Sequence, residues 1–344
     1  MRTSDYNIYV PLPDSDKYIM IHGYSGAVDV VPKGVVEFLR GFEDGDSLDS
    51  ASLTKETFAS LKQRGYLTER TPEQEQNFVC KLGRLLHNVQ KKRAGFLVMP
   101  TYDCNLRCSY CYERRLCVKG RAWLEKTMDR NMVDAVYEAV AWIRQGLGGL
   151  EDNVPKTVTL YGGEPFLKRN AELVNYIIEK GGELGYGFKA ITNGVELDGF
   201  LDLLGKGRGK VGWMQITLDG PPQIHDKRRF KADGGGSFTD IARNITAALE
   251  RGVVVSAHTN VDKKNAEYIL ELVDIYVGQG WVDKPNFEPF CSLVQLGPNT
   301  TGQGNLPTKN QVAQLIKESA EWHPRVQLVT VNTHFKNKVI QLLT

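Results

Sequence analysis

From Ala94 onward the chain alternates between short apolar runs and helical periods, and this alternation constrains the fold more than any other feature. The apolar runs are Gly95–Thr101, Lys156–Tyr161, Phe188–Thr192, Val211–Leu218, Val253–His258 and Pro285–Phe290. Between them, Val133, Val136, Tyr137 and Val140 share one helical face. So do Ile241, Ile245, Ala248 and Leu249, and later Tyr268, Ile269, Leu272 and Val273. Repeated strand–helix units of this kind demand a parallel sheet with right-handed crossovers. The expectation is an α/β fold, a partial (β/α)6 barrel over residues 93–344, with its chemistry at the C-terminal ends of the strands.

Residues 1–92 lack that pattern. Tyr18–His22 and Ala27–Val31 flank Gly23–Gly26, which reads as a β-hairpin. Pro32 is placed to open a short helix through Val35, Val36 and Leu39. A second helix is expected over Thr54–Arg64, stopped at Gly65 before a strand at Tyr66-Leu67. The polar stretch from Thr71 to Lys92 reads as a linker helix. Together these suggest a small N-terminal α+β domain of winged-helix type.

Bulk properties exclude some function classes. The formal net charge is +2 over 344 residues, without the basic stripe of a nucleic-acid binder. The N-terminus has no apolar signal-peptide core, and no run approaches the roughly 18 apolar residues that span a membrane. The expected compartment is the cytoplasm, with neither nucleic acid nor membrane as partner.

Cysteine usage is uneven. Three of the six cysteines fall at 104, 108 and 111, in Cys104-Asn-Leu-Arg-Cys108-Ser-Tyr-Cys111, directly after the first expected strand. Four thiolates normally close an iron–sulfur cube. A compact set of three leaves one iron open to an external ligand. The alternative is a zinc site completed by Cys117 or a histidine. Zinc sites usually pair two CxxC or Cys/His elements, and no second CxxC and no histidine between Cys111 and Ala190 is present.

With its Asn-Leu after the first cysteine and Tyr before the third, this motif resembles the radical SAM superfamily. The likeness extends to Tyr161-Gly-Gly-Glu-Pro165, Thr192-Asn-Gly194, Thr217-Leu-Asp-Gly220 and His225-Asp-x-x-Arg229, in the family's order at successive strand ends. The last run resembles the peptide- and protein-modifying branch, SPASM-type and including anaerobic sulfatase maturases. That branch usually continues into a cysteine-rich C-terminal domain, whereas Cys291 is the only cysteine here after Cys117.

The resemblance implies a [4Fe-4S] cluster on Cys104, Cys108 and Cys111, and S-adenosylmethionine (SAM) bound at its open iron. Gly162 and Gly163 would let backbone approach the methionine part, and Glu164 would accept from the SAM amino group. Tyr110 would lie near the adenine, with Thr192 and Asn193 on adenine or ribose and Thr217 on ribose or carboxylate. Arg229 would meet a carboxylate of SAM or of substrate. Asp219 has two readings: a substrate-side acid/base, or an Asx-turn residue before Gly220-Pro-Pro222. Asp233–Ser237 reads as a loop with Ser237 capping the next helix. His258 either faces the pocket or is a satisfied strand-end histidine. Cys80, Cys117 and Cys291 are most simply non-ligands.

The implied activity is reductive cleavage of SAM and hydrogen abstraction from a peptide or protein, fed by an electron donor such as flavodoxin or ferredoxin. The alternatives are a sulfatase-maturase-like protein oxidase and an inactive peptide-binding scaffold.

Overall fold

A computed structural model describes residues 1–12, 15–42, 53–91, 95–111, 113, 124–146, 156–294 and 330–331. The chain divides into two compact units, residues 1–91 and residues 92–332.

The first unit contains β1 (Arg2–Thr3), β2 (Asn7–Pro11), β3 (Lys17–His22), β4 (Val28–Pro32), α1 (Lys33–Gly41), α2 (Lys55–Arg64), β5 (Leu67–Thr68) and α3 (Pro72–Lys91). The expected hairpin is β3–β4, and β2 adds a third antiparallel strand, so β2 and β4 are the sheet's edges. Strand alternation puts Tyr9, Met20 and Val31 on the face that packs with Val35 and Leu39 of α1 and Leu61 of α2. The opposite face carries Ile8, Val10, Ile19, Ile21, Val28 and Val30 in register. Gly65 ends α2 in the left-handed conformation at φ 93°, where a side chain would be strained.

α3 is tied to the first strands by a buried carboxylate. Glu75 accepts from Ser4 Oγ at 2.6 Å, Arg2 Nη2 at 2.7 Å and Tyr24 Oη at 2.9 Å. Four residues upstream, Thr71 accepts the helix-opening N–H of Gln74 at its hydroxyl.

The second unit is built on one parallel sheet. Its strands are β6 (Phe96–Val98), β7 (Thr157–Leu160), β8 (Gly187–Thr192), β9 (Val211–Thr217), β10 (Val254–Val261), β11 (Phe290–Leu293) and β12 (Thr330–Val331), paired in sequential order. The helices between them are α4 (Arg130–Gly146), α5 (Ala171–Glu183), the short α6 (Pro222–Arg228), α7 (Phe238–Glu250) and α8 (Ile269–Gly278). Sequential order with right-handed crossovers places the covering helices on one face, as in a partial barrel. Val158, Leu160, Ala190, Met214, Ile216, Val255, Ala257 and Val261 point to that face and are fully buried with Val140, Ile177, Ile245 and Val273 from the helices. The other face carries Thr159, Lys189, Trp213, Gln215, His258 and Ser292, which stay half-buried or exposed.

The sheet differs from the sequence reading at two points. The sixth strand begins at Phe290, not at Pro285. Residues 286–288 nonetheless already pair with β10, through Val255 N to Asn286 O at 2.9 Å, Glu288 N to Val255 O at 2.9 Å and Ala257 N to Glu288 O at 3.1 Å, while Asn286 turns its side chain back to the carbonyls of Leu249 and Val253 and Phe287 packs with Trp281 and Tyr276. The sheet also gains a seventh strand, β12, at the end of the apolar run Val326-Gln-Leu-Val-Thr-Val331, which was not among the expected strands.

Candidate functional site

The cysteine loop follows β6 and is held from two sides. Gly163 N and Glu164 N donate to Thr101 O at 3.1 Å and Asp103 O at 2.8 Å. On the other side, Arg107 N donates to Phe230 O at 2.8 Å, Ser109 N to Arg228 O at 3.1 Å, and Ala232 N to Asn105 O at 2.9 Å. The segment 228–232 thus forms a backbone rail for the loop, a role that no motif there signalled. Arg107 closes the loop on itself by donating to Cys104 O at 2.6 Å and Leu106 O at 2.8 Å.

Cys104, Cys108 and Cys111 lie half-buried on this loop. Among the described residues, no three Cys, His, Asp or Glu side chains form a preformed metal cage. Burial pushes the Cys104 and Cys108 thiols up, and for Cys104 the Glu164 carboxyl adds to the effect. Yet two N–H groups aim at Cys104 Sγ, Leu106 N at 3.4 Å and Asn193 Nδ2 at 3.6 Å. Donors around a sulfur favour thiolate, and a buried thiolate needs a cation beside it. Three soft donors in that setting suit iron of a cluster.

The glycines make room within the chain itself. A Cβ on Gly163 would stand 2.3 Å from the carbonyl oxygens of both Tyr102 and Asp103, and one on Gly162 would stand 2.6 Å from Thr101 O. Their missing side chains let the cysteine loop close onto the end of β7. Gly162 also sits at φ 125°, where glycine is favoured.

Glu164 is fully buried and accepts from Thr192 Oγ1 at 2.5 Å, Asn193 N at 2.7 Å and Phe166 N at 3.0 Å. Burial pushes its carboxyl up to about 7 despite those donors. Asn193 reaches the cysteine loop, donating to Asn105 Oδ1 at 2.7 Å, while its own Oδ1 accepts from Val195 N at 2.9 Å. Thr192, Asn193 and Glu164 therefore form one lattice beneath Cys104. Thr217 ends β9 in register with His258.

A second cluster gathers Tyr110, Asp219, Arg228, Arg229 and Asn260. Tyr110 donates its hydroxyl to Asp219 Oδ2 and accepts from Arg229 Nη1 at 2.8 Å and Asn260 Nδ2 at 3.3 Å. Asp219 is wholly buried, and its Oδ1 accepts from Asn260 N at 3.0 Å. No Asx-turn is formed: position 221 is proline and has no N–H to donate, and the Asp219 carboxylate reaches across to β10 and to the cysteine loop. Arg228 Nη1 donates to both carboxylate oxygens of Asp262, each at 2.9 Å, and the guanidinium lies over the Tyr110 ring at 5.2 Å. Arg229 is buried, and its Nε finds no hydrogen-bond partner among the described residues. A buried guanidinium N–H left open beside the cysteine loop fits the carboxylate of an amino-acid-like ligand such as SAM.

His225 locks the turn that carries Arg229. Asp219 N donates to His225 Nδ1 at 3.1 Å, which leaves the proton on Nε2, directed at Ser237 Oγ 3.0 Å away. Ser237 Oγ in turn donates to Arg229 O at 2.5 Å. Ser237 is thus not the side-chain cap of α7. Asp226 takes that place, its Oδ1 accepting from Ser237 N at 2.8 Å and Phe238 N at 2.9 Å. Of the remaining cysteines, Cys80 is exposed, Cys291 is buried on the helix-covered face, and Cys117 lies outside the described residues.

A parallel sheet with a three-cysteine loop at the end of its first strand, faced by Gly-Gly-Glu from the second, defines the class: an α/β partial barrel built around a cysteine-held cofactor. The family model described as the Radical SAM superfamily matches residues 98–275, more than half of the chain, and the protein belongs to that superfamily. Its cofactors are a [4Fe-4S] cluster and SAM. A cysteine-type anaerobic sulfatase-maturating enzyme of Clostridium novyi (strain NT) is 27% identical over 194 residues, 55% of this chain and 49% of that protein. A GTP 3',8-cyclase of Erythrobacter litoralis (strain HTCC2594) is 26% identical over 197 residues, 55% of this chain and 52% of that protein. The chain spans about half the length of the curated relatives it matches. Among solved structures, native anSMEcpe with bound AdoMet superposes with a TM-score of 0.51 at 17% identity, covering 69% of this chain and 63% of that one, which shows the shared fold.

Proposed function

We propose that this chain is a radical SAM enzyme that abstracts hydrogen from a peptide or protein. The observation that carries the reading is the cysteine loop pinned between Gly162-Gly163-Glu164 and the 228–232 rail, with an open buried donor on Arg229 beside it. Cys104, Cys108 and Cys111 hold the cluster, and Arg229 takes the SAM carboxylate. When bound, the reduced cluster and SAM together supply a 5′-deoxyadenosyl radical, with methionine as the other product. The protein's own part is positional. Glu164 ties the β7 end to the β8 end through Thr192 and Asn193, and Asp219 ties Tyr110 to β10. Asp219 is enclosed by donors and acts as a positioning residue.

The peptide part of the reading is supported by the sulfatase-maturating relative and by the first unit, whose edge strands β2 and β4 can accept an added strand. A three-stranded meander followed by helices suits a winged peptide-holding module. Sulfatase-like protein oxidation is the second reading, favoured by the same relative. Flavodoxin or ferredoxin would supply the electron.

The test is anaerobic reconstitution with iron and sulfide, then reduction with dithionite in the presence of SAM. The expected result is a brown protein absorbing near 400 nm, on the order of what cubane clusters show, that forms 5′-deoxyadenosine. Cys104→Ala, Cys108→Ala and Cys111→Ala should each abolish both. Zinc in place of iron in every preparation would overturn the reading.

A further inference from the structure

We propose that His258, held by Gln215 and Ser292 against Phe290, positions the substrate on the sheet face turned away from the packed helices. The assignment rests on the peptide reading above and deepens it. On the helix-covered face, the neighbours Ala257 and Thr259 are 0% and 2% exposed. His258, between them, points the other way and stays partly open. It is fixed from three directions. Gln215 Nε2 lies 3.2 Å from Nδ1, Ser292 Oγ lies 2.6 Å from Nε2, and the Phe290 ring stacks at 4.6 Å with an interplanar angle of 13°.

Its place along the strand matters as much. His258 is in register with Thr217 on one side and Phe290 on the other. Two residues further on, on the same face, Asn260 reaches the hydroxyl of Tyr110 on the cysteine loop. A two-residue step along a strand is about 7 Å. A locked polar side chain that close to the cysteine loop, on the face turned away from the packed helices, lies where a substrate carbon must be held near the radical.

The bonding pattern also suggests what is held. With the Gln215 amide nitrogen facing Nδ1, the imidazole proton sits on Nε2 and goes to Ser292 Oγ. The Ser292 hydroxyl hydrogen then meets no acceptor among the described residues and can be offered to a ligand. Burial holds the imidazole down to about 4, so the ring is a neutral hydrogen-bonding group at neutral pH. A neutral donor at the end of a fixed chain, beside a flat aromatic pair, suits a peptide carbonyl better than a charged group.

The experiment uses the reconstituted full chain, SAM and a pool of random dodecapeptides, and reads the ratio of 5′-deoxyadenosine formed with and without peptide. His258→Phe keeps the stack on Phe290 and removes both hydrogen bonds. His258→Gln retains a donor that can reach Ser292. The expected result is a fall in the stimulation ratio of about tenfold for His258→Phe, the scale of one lost hydrogen bond, with partial recovery in His258→Gln. Ser292→Ala should fall similarly without touching the ring. Full stimulation in both His258→Phe and Ser292→Ala would overturn the assignment while leaving the peptide reading intact. Absence of stimulation in the wild type would overturn the peptide reading and this assignment with it.

Discussion

At Gly163 a hydrogen atom occupies the place where any other residue would drive a methyl group into the Tyr102 and Asp103 carbonyls. Gly163→Ala should therefore displace the cysteine loop and not merely crowd SAM. The expected outcome is lost brown colour and iron content in the reconstituted variant, together with a destabilisation of about 1–3 kcal/mol from overpacking. Retained colour with lost SAM binding would restore the simpler role for this glycine. His225 offers a second test at this scale. Burial, aided by the Arg229 charge, holds its imidazole down to about 4 against an ordinary value of 6.5. The unfolded chain therefore binds the proton first as pH falls. Stability is full above about pH 6.5 and is lost progressively towards pH 4, by about 2 kcal/mol at pH 5 from linkage. Denaturation at pH 7 and pH 5 should show that loss in the wild type, reduced by this amount in His225→Gln, which does not titrate.

Among the elements, α6 has the largest consequence for its size. Its last residue, Arg228, is buried and joins Asp262, Asp219 and the Asn260 carbonyl, so seven helical residues fix the rail that carries the cysteine loop. Asp262→Ala would leave a buried guanidinium with its remaining acceptors only. A cost of about 2 kcal/mol is expected, below that of a fully buried pair because the Asp262 side chain is 18% exposed. Urea denaturation measures it, and an unchanged midpoint would show that Asp219 and the carbonyl suffice. α6 was visible in the sequence only as His-Asp-x-x-Arg. Nothing there told Arg228, whose three guanidinium nitrogens are all paired, from Arg229, whose Nε has no partner among the described residues.

For the whole molecule, the cysteine positions bear on cofactor number. Cys80 is exposed on α3 in the first unit, and Cys291 is buried on the helix-covered face of β11, in register with Thr259. Cys291 is therefore a core side chain of the sheet and not part of the cysteine loop. One cluster, about four irons per chain, is expected from ligand arithmetic. Iron and sulfide analysis should give about that number in the wild type and none in the triple Ala variant of Cys104, Cys108 and Cys111. Four irons persisting in the variant would reveal a second cluster.

The parallel sheet, the hairpin of the first unit and the cysteine loop could all be read from local pattern. Strand and helix periods, turn residues and cysteine spacing act over a few neighbouring residues, and each leaves a mark in the chain itself. Gly162-Gly163 was legible as a place that needs no side chain. What would fill the space was not, because Tyr102 and Asp103 are some sixty positions away in sequence and meet the glycines only once β6 and β7 pair. The same holds for Asp219, whose partners Tyr110 and Asn260 come from opposite sides of it in the chain. Asp226 caps a helix that starts twelve residues later, in place of Ser237, which stands directly before it. Which side chains face one another depends on strand register and crossover, and those are set by packing across the whole sheet, not by any one segment.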